Sequence, residues 1–296
     1  MLVRGFLLKI LIITVCLLGL GACSTKMSYY FLDWAIEWEV DDYVDLNDEQ
    51  QQALAQAIDE FILWHQANEL PRYSQHLTQV IEDIATPSLE AERWLHHSQL
   101  GKAHWQRLVA FNLEAITALI ASLSDAQVAQ IDANIRRQIA EDKDKYLNAS
   151  DEDWLKRNDE NLLERAEDLL GELSVQQRLM IRKYNRNRPR TTALWYRYQD
   201  DWSSRFISTI QHRQDPVRLH GELVLLFTAA DTLKAPEYQQ ALVQNRLAMG
   251  ELLQQLHASL TTNQQRKVVN KLQDLIADLN DLSAAGMNNL ALNQNL

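Results

Sequence analysis

A five-residue phrase that recurs four times constrains the fold of this chain more than any other feature. Each copy reads Leu, a short polar residue, two variable residues and Gln, and the copies begin at Leu46, Leu123, Leu173 and Leu260. In such a phrase the polar side chain accepts a hydrogen bond from the backbone three residues later, and the Gln side chain reaches back to the polar residue's own N–H. The sequence therefore predicts a capping box, and so the start of a helix, at each copy.

Composition extends the prediction from helix starts to fold class. The 296 residues include only 8 Gly and 5 Pro, and the chain contains no convincing run of alternating β-branched residues. Apolar side chains recur at helical spacing, as in Leu54, Ile58 and Phe61. The predicted fold is all-α, a compact multi-helix bundle in which the prolines mark helix starts: Pro71, Pro87, Pro189, Pro216 and Pro236.

Two of the four phrases lie in longer matching segments 137 residues apart. The segment around Leu123 matches the segment around Leu260, and the apolar face that follows the first, with Ile131, is repeated at Val268. An internal duplication is the economical interpretation, and chance similarity between amphipathic helices is the alternative. The predicted organisation is a signal peptide (1–22), an acidic and aromatic lipid-anchored segment (23–46), helical unit 1 (47–172), helical unit 2 (173–283, one compact domain with unit 1) and a flexible tail (284–296).

The run Leu20-Gly21-Ala22-Cys23 resembles a bacterial lipobox. It follows the basic residues Arg4 and Lys9 and a short apolar segment, 10–20, whose length suits a signal peptide better than a membrane span. The resemblance implies cleavage before Cys23 and acylation of its thiol by fatty acids such as palmitate. Ser24 in place of Asp then favours the outer membrane, with the protein facing the periplasm. An ordinary secretory signal with an incidental cysteine is the alternative.

Two wider resemblances follow from quoted segments. The four phrases resemble the motif of the Spy and CpxP type of periplasmic helical chaperones. An uncharacterised family of proteobacterial helical lipoproteins is similar in Tyr30-Phe31-Leu32-Asp33-Trp34, Trp38, Asp41-Asp42-Tyr43-Val44-Asp45-Leu46, Trp64-His65 and Glu69-Leu70-Pro71-Arg72-Tyr73. The second resemblance implies an architecture and no activity.

The N-terminal part of the mature chain is acidic and rich in aromatic residues. Residues 27–71 contain eleven Asp or Glu and no Lys or Arg. Trp34 and Trp38 are one helical turn apart, so we expect them either to pack a short helix onto the body or to lie at the lipid interface near the anchor. Removal of residues 1–22 leaves 27 basic and 40 acidic residues, a formal charge of −13 that disfavours nucleic acid as a partner.

A basic and aromatic patch is the predicted binding site. Its residues are Arg178, Arg182, Lys183, Arg186, Arg188, Arg190, Trp195, Arg197 and Trp202. Guanidinium groups pair planar anions through two donors, so an envelope protein, an anionic lipid or peptidoglycan would be a suitable partner. The alternative is that these cations neutralise the chain's own acids while the aromatic rings pack in the core.

Patterns typical of catalysis are weak in this sequence. His97 and His104 are seven residues apart and could share a helix face, but no HExxH or third-ligand spacing accompanies them, and His65 with Glu69 fits an ordinary helix-surface pair. We therefore expect no catalytic residue, no metal and no cofactor. The predicted function is a non-enzymatic, lipid-anchored interaction or scaffold protein of the envelope, and the alternative is a chaperone-like binder of unfolded periplasmic proteins.

Overall fold

The computed structural model describes residues 22–293, with side chains described for 25–288, and every regular element in this part of the chain is helical. The α-helices are α1 (Ala22–Tyr30), α2 (Leu32–Asp41), α3 (Asp48–Trp64), α4 (Leu70–Ile84), α5 (Ala91–Ser122), α6 (Asp125–Tyr146), α7 (Asp151–Leu170), α8 (Val175–Asn187), α9 (Thr192–Gln211), α10 (Pro216–Thr228), α11 (Pro236–Ala258) and α12 (Thr262–Asn293). A π-helical turn, His65–Glu69, joins α3 to α4, and a 3₁₀ turn, Ala230–Leu233, precedes α11. The predicted all-α bundle is confirmed.

All four repeated phrases start helices, as the sequence predicts. Complete capping boxes open α3, α6 and α8. At α12 the backbone N–H of Gln264 donates to Thr261 Oγ1 at 3.2 Å, and the Thr261 N–H donates to Gln264 Oε1 at 3.1 Å. The phrases are therefore explained by local backbone chemistry.

The helical path is continuous from Asp48 to Ile84, which differs from the predicted helix start at Pro71. Pro71 has no N–H to donate, and its ring crowds the carbonyl four residues earlier. The backbone accommodates both effects by widening to a π turn at His65–Glu69 instead of breaking. Pro216 and Pro236 do begin helices, as predicted.

Among the side chains that the structure describes, the buried ones form three apolar clusters. The largest contains Leu46, Leu123 and their neighbours on α5, α6, α9 and α10; the second contains Leu173 and Ile181 with α11 and α12; the third joins α1, α2, α4 and α12 around Leu70. Helices α9 and α10 thus share a core with helices that precede residue 173. The division into units 1 and 2 within one compact domain stays a prediction.

The capping boxes meet in two equivalent pairs. Gln50 donates to the Ser122 carbonyl at 3.0 Å, and Gln177 donates to the Ser259 carbonyl at 3.2 Å. Ser122 and Ser259 are the residues that the 137-residue offset aligns. The same polar contact thus occurs twice in the bundle, and the internal duplication stays a prediction.

The last helix continues through most of the predicted flexible tail. Helix α12 extends to Asn293, and Leu282, Ser283 and Gly286 are buried in it. A Cβ atom placed on Gly286 would lie 2.3 Å from the Cβ of Gln66, so α12 approaches the π turn very closely. This contact holds the start of the Asn-rich segment in helical form.

The predicted signal peptide lies outside the described residues as far as residue 21, and the side chain of Cys23 lies outside them too. Between Ala22 and Asn293, no single helix combines the length and the apolar composition that crossing a membrane requires. Helices α5 and α6 meet those criteria only when taken together, and they are bent by 115° relative to each other.

Candidate functional site

The structure pairs four of the predicted patch cations within the molecule. Arg178 pairs with Glu167 at 2.5 Å, Arg190 with Asp151 at 2.6 Å and Arg197 with Glu237 at 2.8 Å. Arg188 is half-buried, lies 4.8 Å from the centre of the Trp154 ring and donates to Asn158 at 2.6 Å. Burial lowers the pKa of Arg188, although Tyr184 and Asp159 raise it.

The two tryptophans of the patch face inward. Trp202 donates its indole N–H to the Leu226 carbonyl at 3.1 Å and packs against the largest apolar cluster, beside Phe206 and Phe227. Trp195 is half-buried against Tyr198, with ring centres 5.8 Å apart. The predicted patch therefore does not form one binding surface.

A narrower surface remains on α8. Arg182, Lys183 and Arg186 are exposed, and they have no ionic partner among the residues that the structure describes. They continue a helix face that begins with the exposed apolar residues Val175 and Leu179. We call these five residues the α8 basic face.

A chain of three histidines, which the sequence did not predict, lies between α4 and α5. His76 Nδ1 is 3.3 Å from His104 Nε2, and His76 Nε2 is 3.1 Å from His97 Nδ1. The three imidazole rings stack with centres 5.2 and 5.4 Å apart. Because His76 turns its two nitrogens toward different neighbours, the rings form a linear hydrogen-bonded chain and do not converge on one point.

Each end of the histidine chain meets a carboxylate that also binds an arginine. At one end, fully buried Glu69 accepts from Arg107 Nε at 2.5 Å, and its other oxygen lies 3.1 Å from His104 Nδ1. At the other end, Asp83 Oδ2 lies 2.8 Å from His97 Nε2 and 2.5 Å from Arg93 Nε. The result is a linear array of acid, three imidazoles and acid.

Proton counting fixes the direction of the hydrogen bonds when all three imidazoles are neutral. Arg107 Nη2 lies 2.5 Å from His104 Nδ1 and can only donate, so His104 carries its proton on Nε2. His104 then donates to His76, His76 to His97, and His97 to Asp83.

The surroundings favour the neutral form of His76 and His104. Partial burial, followed by the effect of neighbouring His104 and His97, lowers the pKa of His76 to about 4. Burial likewise lowers the pKa of His104, although Glu69 raises it. For Asp83, burial raises the pKa, but Arg93 and His97 together lower it below the ordinary value.

His65 forms a second buried polar group beside this chain. Its Nδ1 lies 2.9 Å from the Tyr29 hydroxyl and its Nε2 lies 3.3 Å from the Tyr73 hydroxyl. Burial lowers the pKa of His65 to about 4, although Glu69 raises it. The predicted surface pair of His65 with Glu69 was wrong: both residues are buried because the π turn directs them into the bundle.

The spacing of these residues along the sequence indicates the array, although the overall composition does not. Glu69, His76 and Asp83 recur every seven residues, whereas Arg93, His97, His104 and Arg107 follow one another at spacings of four, seven and three residues. Such spacing places side chains along the seam between two packed helices, where apolar residues are usual. Polar residues at seam positions on two consecutive helices would have indicated a buried network.

Comparison with known proteins identifies the family of this chain but gives no information on what the histidine chain or the α8 basic face does. No curated protein and no solved structure matches the chain. One family model matches residues 42–239; the histidine chain and the α8 basic face lie inside this range, whereas α1 and α2 precede it. A family of unknown function, DUF6279, has a model that matches residues 42–239, which is more than half of the sequence, and the chain therefore belongs to that family.

Proposed function

We propose that this protein is a lipid-anchored scaffold of the cell envelope that binds an acidic partner protein through the α8 basic face. The observation that carries the proposal is the contrast within the predicted patch. Arg178, Arg190 and Arg197 are paired inside the molecule, whereas Arg182, Lys183 and Arg186 are exposed on one helix face without such a partner in the described chain.

The composition of that face favours a protein over a simple anion. Val175 and Leu179 keep 77% and 58% of their surface exposed beside the three cations. A protein interface combines an apolar centre with charges that fix orientation and partner choice. An acidic helix or loop with apolar side chains would match both parts of the face.

The anchor part of the proposal rests on the lipobox resemblance at Cys23. Cys23 lies in the first turn of α1 (Ala22–Tyr30), so a lipid on Cys23 would hold the folded body directly against a membrane. Two or more acyl chains give stable attachment, because each buried methylene contributes about 0.8 kcal/mol. An alkyne analogue of palmitate should label the wild-type protein and leave Cys23→Ala unlabelled; equal labelling would contradict the anchor.

The partner is tested by photo-crosslinking in cells from a probe at Leu179. We expect one dominant protein adduct, and we expect it to disappear when Arg182, Lys183 and Arg186 are all changed to Glu. A matched control reverses three exposed arginines elsewhere, Arg165, Arg218 and Arg246, with the same change in net charge. Circular dichroism should show an unchanged helix content in both variants.

Two results would contradict the scaffold proposal. An adduct that survives reversal of the α8 basic face, or that is lost equally in the control, would show that this face does not select the partner. A broad set of adducts that grows under unfolding stress would instead favour the chaperone-like function. The second result would leave the capping role of the repeated phrases intact, since that role is structural.

A further inference from the structure

Helices α1 and α2 carry an exposed aromatic and apolar stripe. Its residues and their exposed fractions are Met27 58%, Tyr30 73%, Phe31 56%, Trp34 61% and Trp38 52%. Met27 and Tyr30 lie three residues apart on α1, and Trp34 and Trp38 lie one turn apart on one face of α2. The rings of Trp34 and Trp38 stack with centres 6.3 Å apart. Exposed aromatic residues concentrated in one stripe usually mark an interaction surface.

The opposite side of these helices is fixed to the bundle, so the orientation of the stripe is defined. Tyr29 and Leu32 are buried in the apolar cluster shared with α4 and α12. The Tyr29 hydroxyl lies 2.9 Å from His65, and Lys26 pairs with Asp281 of α12 at 2.5 Å. The stripe is therefore the outward face of a docked element.

We infer that this stripe lies in the headgroup region of a lipid bilayer and holds the protein body at a set orientation on the membrane. The inference deepens the proposed function and rests on its lipid anchor. The stripe begins at Met27, four residues after Cys23 and seven after the apolar segment 10–20 ends. Any membrane that holds this N-terminus therefore lies next to the stripe.

The chemistry of the stripe fits the interface of a bilayer better than its interior. Trp and Tyr concentrate where a membrane meets water, because each has an apolar body and a polar tip. Asp33 and Glu37 are exposed on the same helix, and no Lys or Arg lies between 27 and 71. The contact therefore depends on apolar and aromatic burial and not on attraction to anionic lipid.

The test uses the full-length lipidated protein reconstituted in phosphatidylcholine vesicles, with bromine placed at a shallow or a deep position of the acyl chains. Shallow bromine should quench part of the tryptophan emission, deep bromine should quench less, and molar salt should leave the quenching unchanged. Trp34→Phe with Trp38→Phe should abolish the quenching. The control Trp195→Phe, at a half-buried site outside the stripe, should retain it.

Three results would overturn the inference: no quenching in the wild type, equal quenching in the double variant, or protein dimers captured from a photo-crosslinker at Tyr30. Circular dichroism verifies that the variants fold. We expect them to fold because the replaced side chains of the stripe are exposed. Loss of quenching while the Leu179 adduct persists would overturn only the inference that the stripe contacts the bilayer. Loss of that adduct while quenching persists would overturn the partner proposal alone, and failure of palmitate labelling would remove the anchor that both require.

Discussion

Gln50 and Gln127, which are 77 residues apart, donate side-chain hydrogen bonds to each other. Gln127 Nε2 donates to Gln50 Oε1 at 2.6 Å, and Gln50 Nε2 donates to Gln127 Oε1 at 3.2 Å. Gln177 and Gln264 repeat the exchange at 3.0 Å in both directions. Each Gln also closes its own capping box, so one side chain both starts a helix and joins it to another helix.

This dual role predicts coupled losses of stability. Gln50→Ala should lower the free energy of unfolding by about 2 kcal/mol, because buried Gln50 makes both its capping bond and its bonds to Ser122 and Gln127. Gln50→Ala and Gln127→Ala together should cost less than the sum of the two, by about 1 kcal/mol. Urea unfolding measures each value. Gln52→Ala, at an exposed position of the same helix, should change stability by less than about 0.5 kcal/mol. Simple additivity would contradict the reciprocal bond.

The buried ion pair of Glu69 and Arg107 should be costly to break from one side. Arg107→Met leaves the fully buried carboxylate without its main partner and should destabilise the fold by about 3 to 5 kcal/mol. Adding Glu69→Met should restore part of that loss. Chemical denaturation checks both variants. Arg197→Met breaks an exposed pair instead and should cost less than about 1 kcal/mol.

The buried histidines predict that stability falls in mild acid. His65 and His76 bind protons near pH 6.5 when unfolded but have pKa values of about 4 when folded, so folding releases protons between these values. The free energy of unfolding should therefore decrease as pH falls from about 6.5 to about 4 and level off above that window. Denaturation at a series of pH values measures the slope.

His76→Gln should make that slope shallower by removing one of the groups that titrate, while the amide still offers a donor and an acceptor to its neighbours. Gln75→Ala, an exposed and uncharged change on the same helix, should leave the slope as it is in the wild type. An unchanged slope in His76→Gln would show that His76 does not titrate on unfolding.

Replacing two glycines by alanine should have opposite effects on stability, because one lies where α12 approaches the π turn closely and the other faces open space. Gly286→Ala forces a methyl group against Gln66 and should destabilise the protein by about 1 to 3 kcal/mol. Gly221→Ala meets open space in α10 and should stabilise it by about 0.5 to 1 kcal/mol, because Ala favours helices. Thermal unfolding measures both changes. Melting temperatures that shift in the same direction in the two variants would contradict this prediction.

The sequence by itself determined the helices and where several of them begin. Capping boxes at Asn47, Ser124, Ser174 and Thr261 are local, since each needs only a polar side chain and a Gln three residues later. The scarcity of Gly and Pro and the helical spacing of apolar residues likewise depend on nearby residues. These features made the all-α class predictable.

Only the tertiary structure decided which polar residues meet. His76 joins His97 and His104 because α4 and α5 pack together, and the π turn beside Pro71 directs His65 and Glu69 inward. In the sequence, Arg178 to Trp202 form one group because they are close along the chain. In the structure, Arg190 is paired with Asp151 whereas Arg182 is exposed, and this difference depends on which helices folding brings together. Hydrogen bonds and ion pairs act over a few ångströms, so contacts between distant segments are fixed by packing of the helices and not by local sequence.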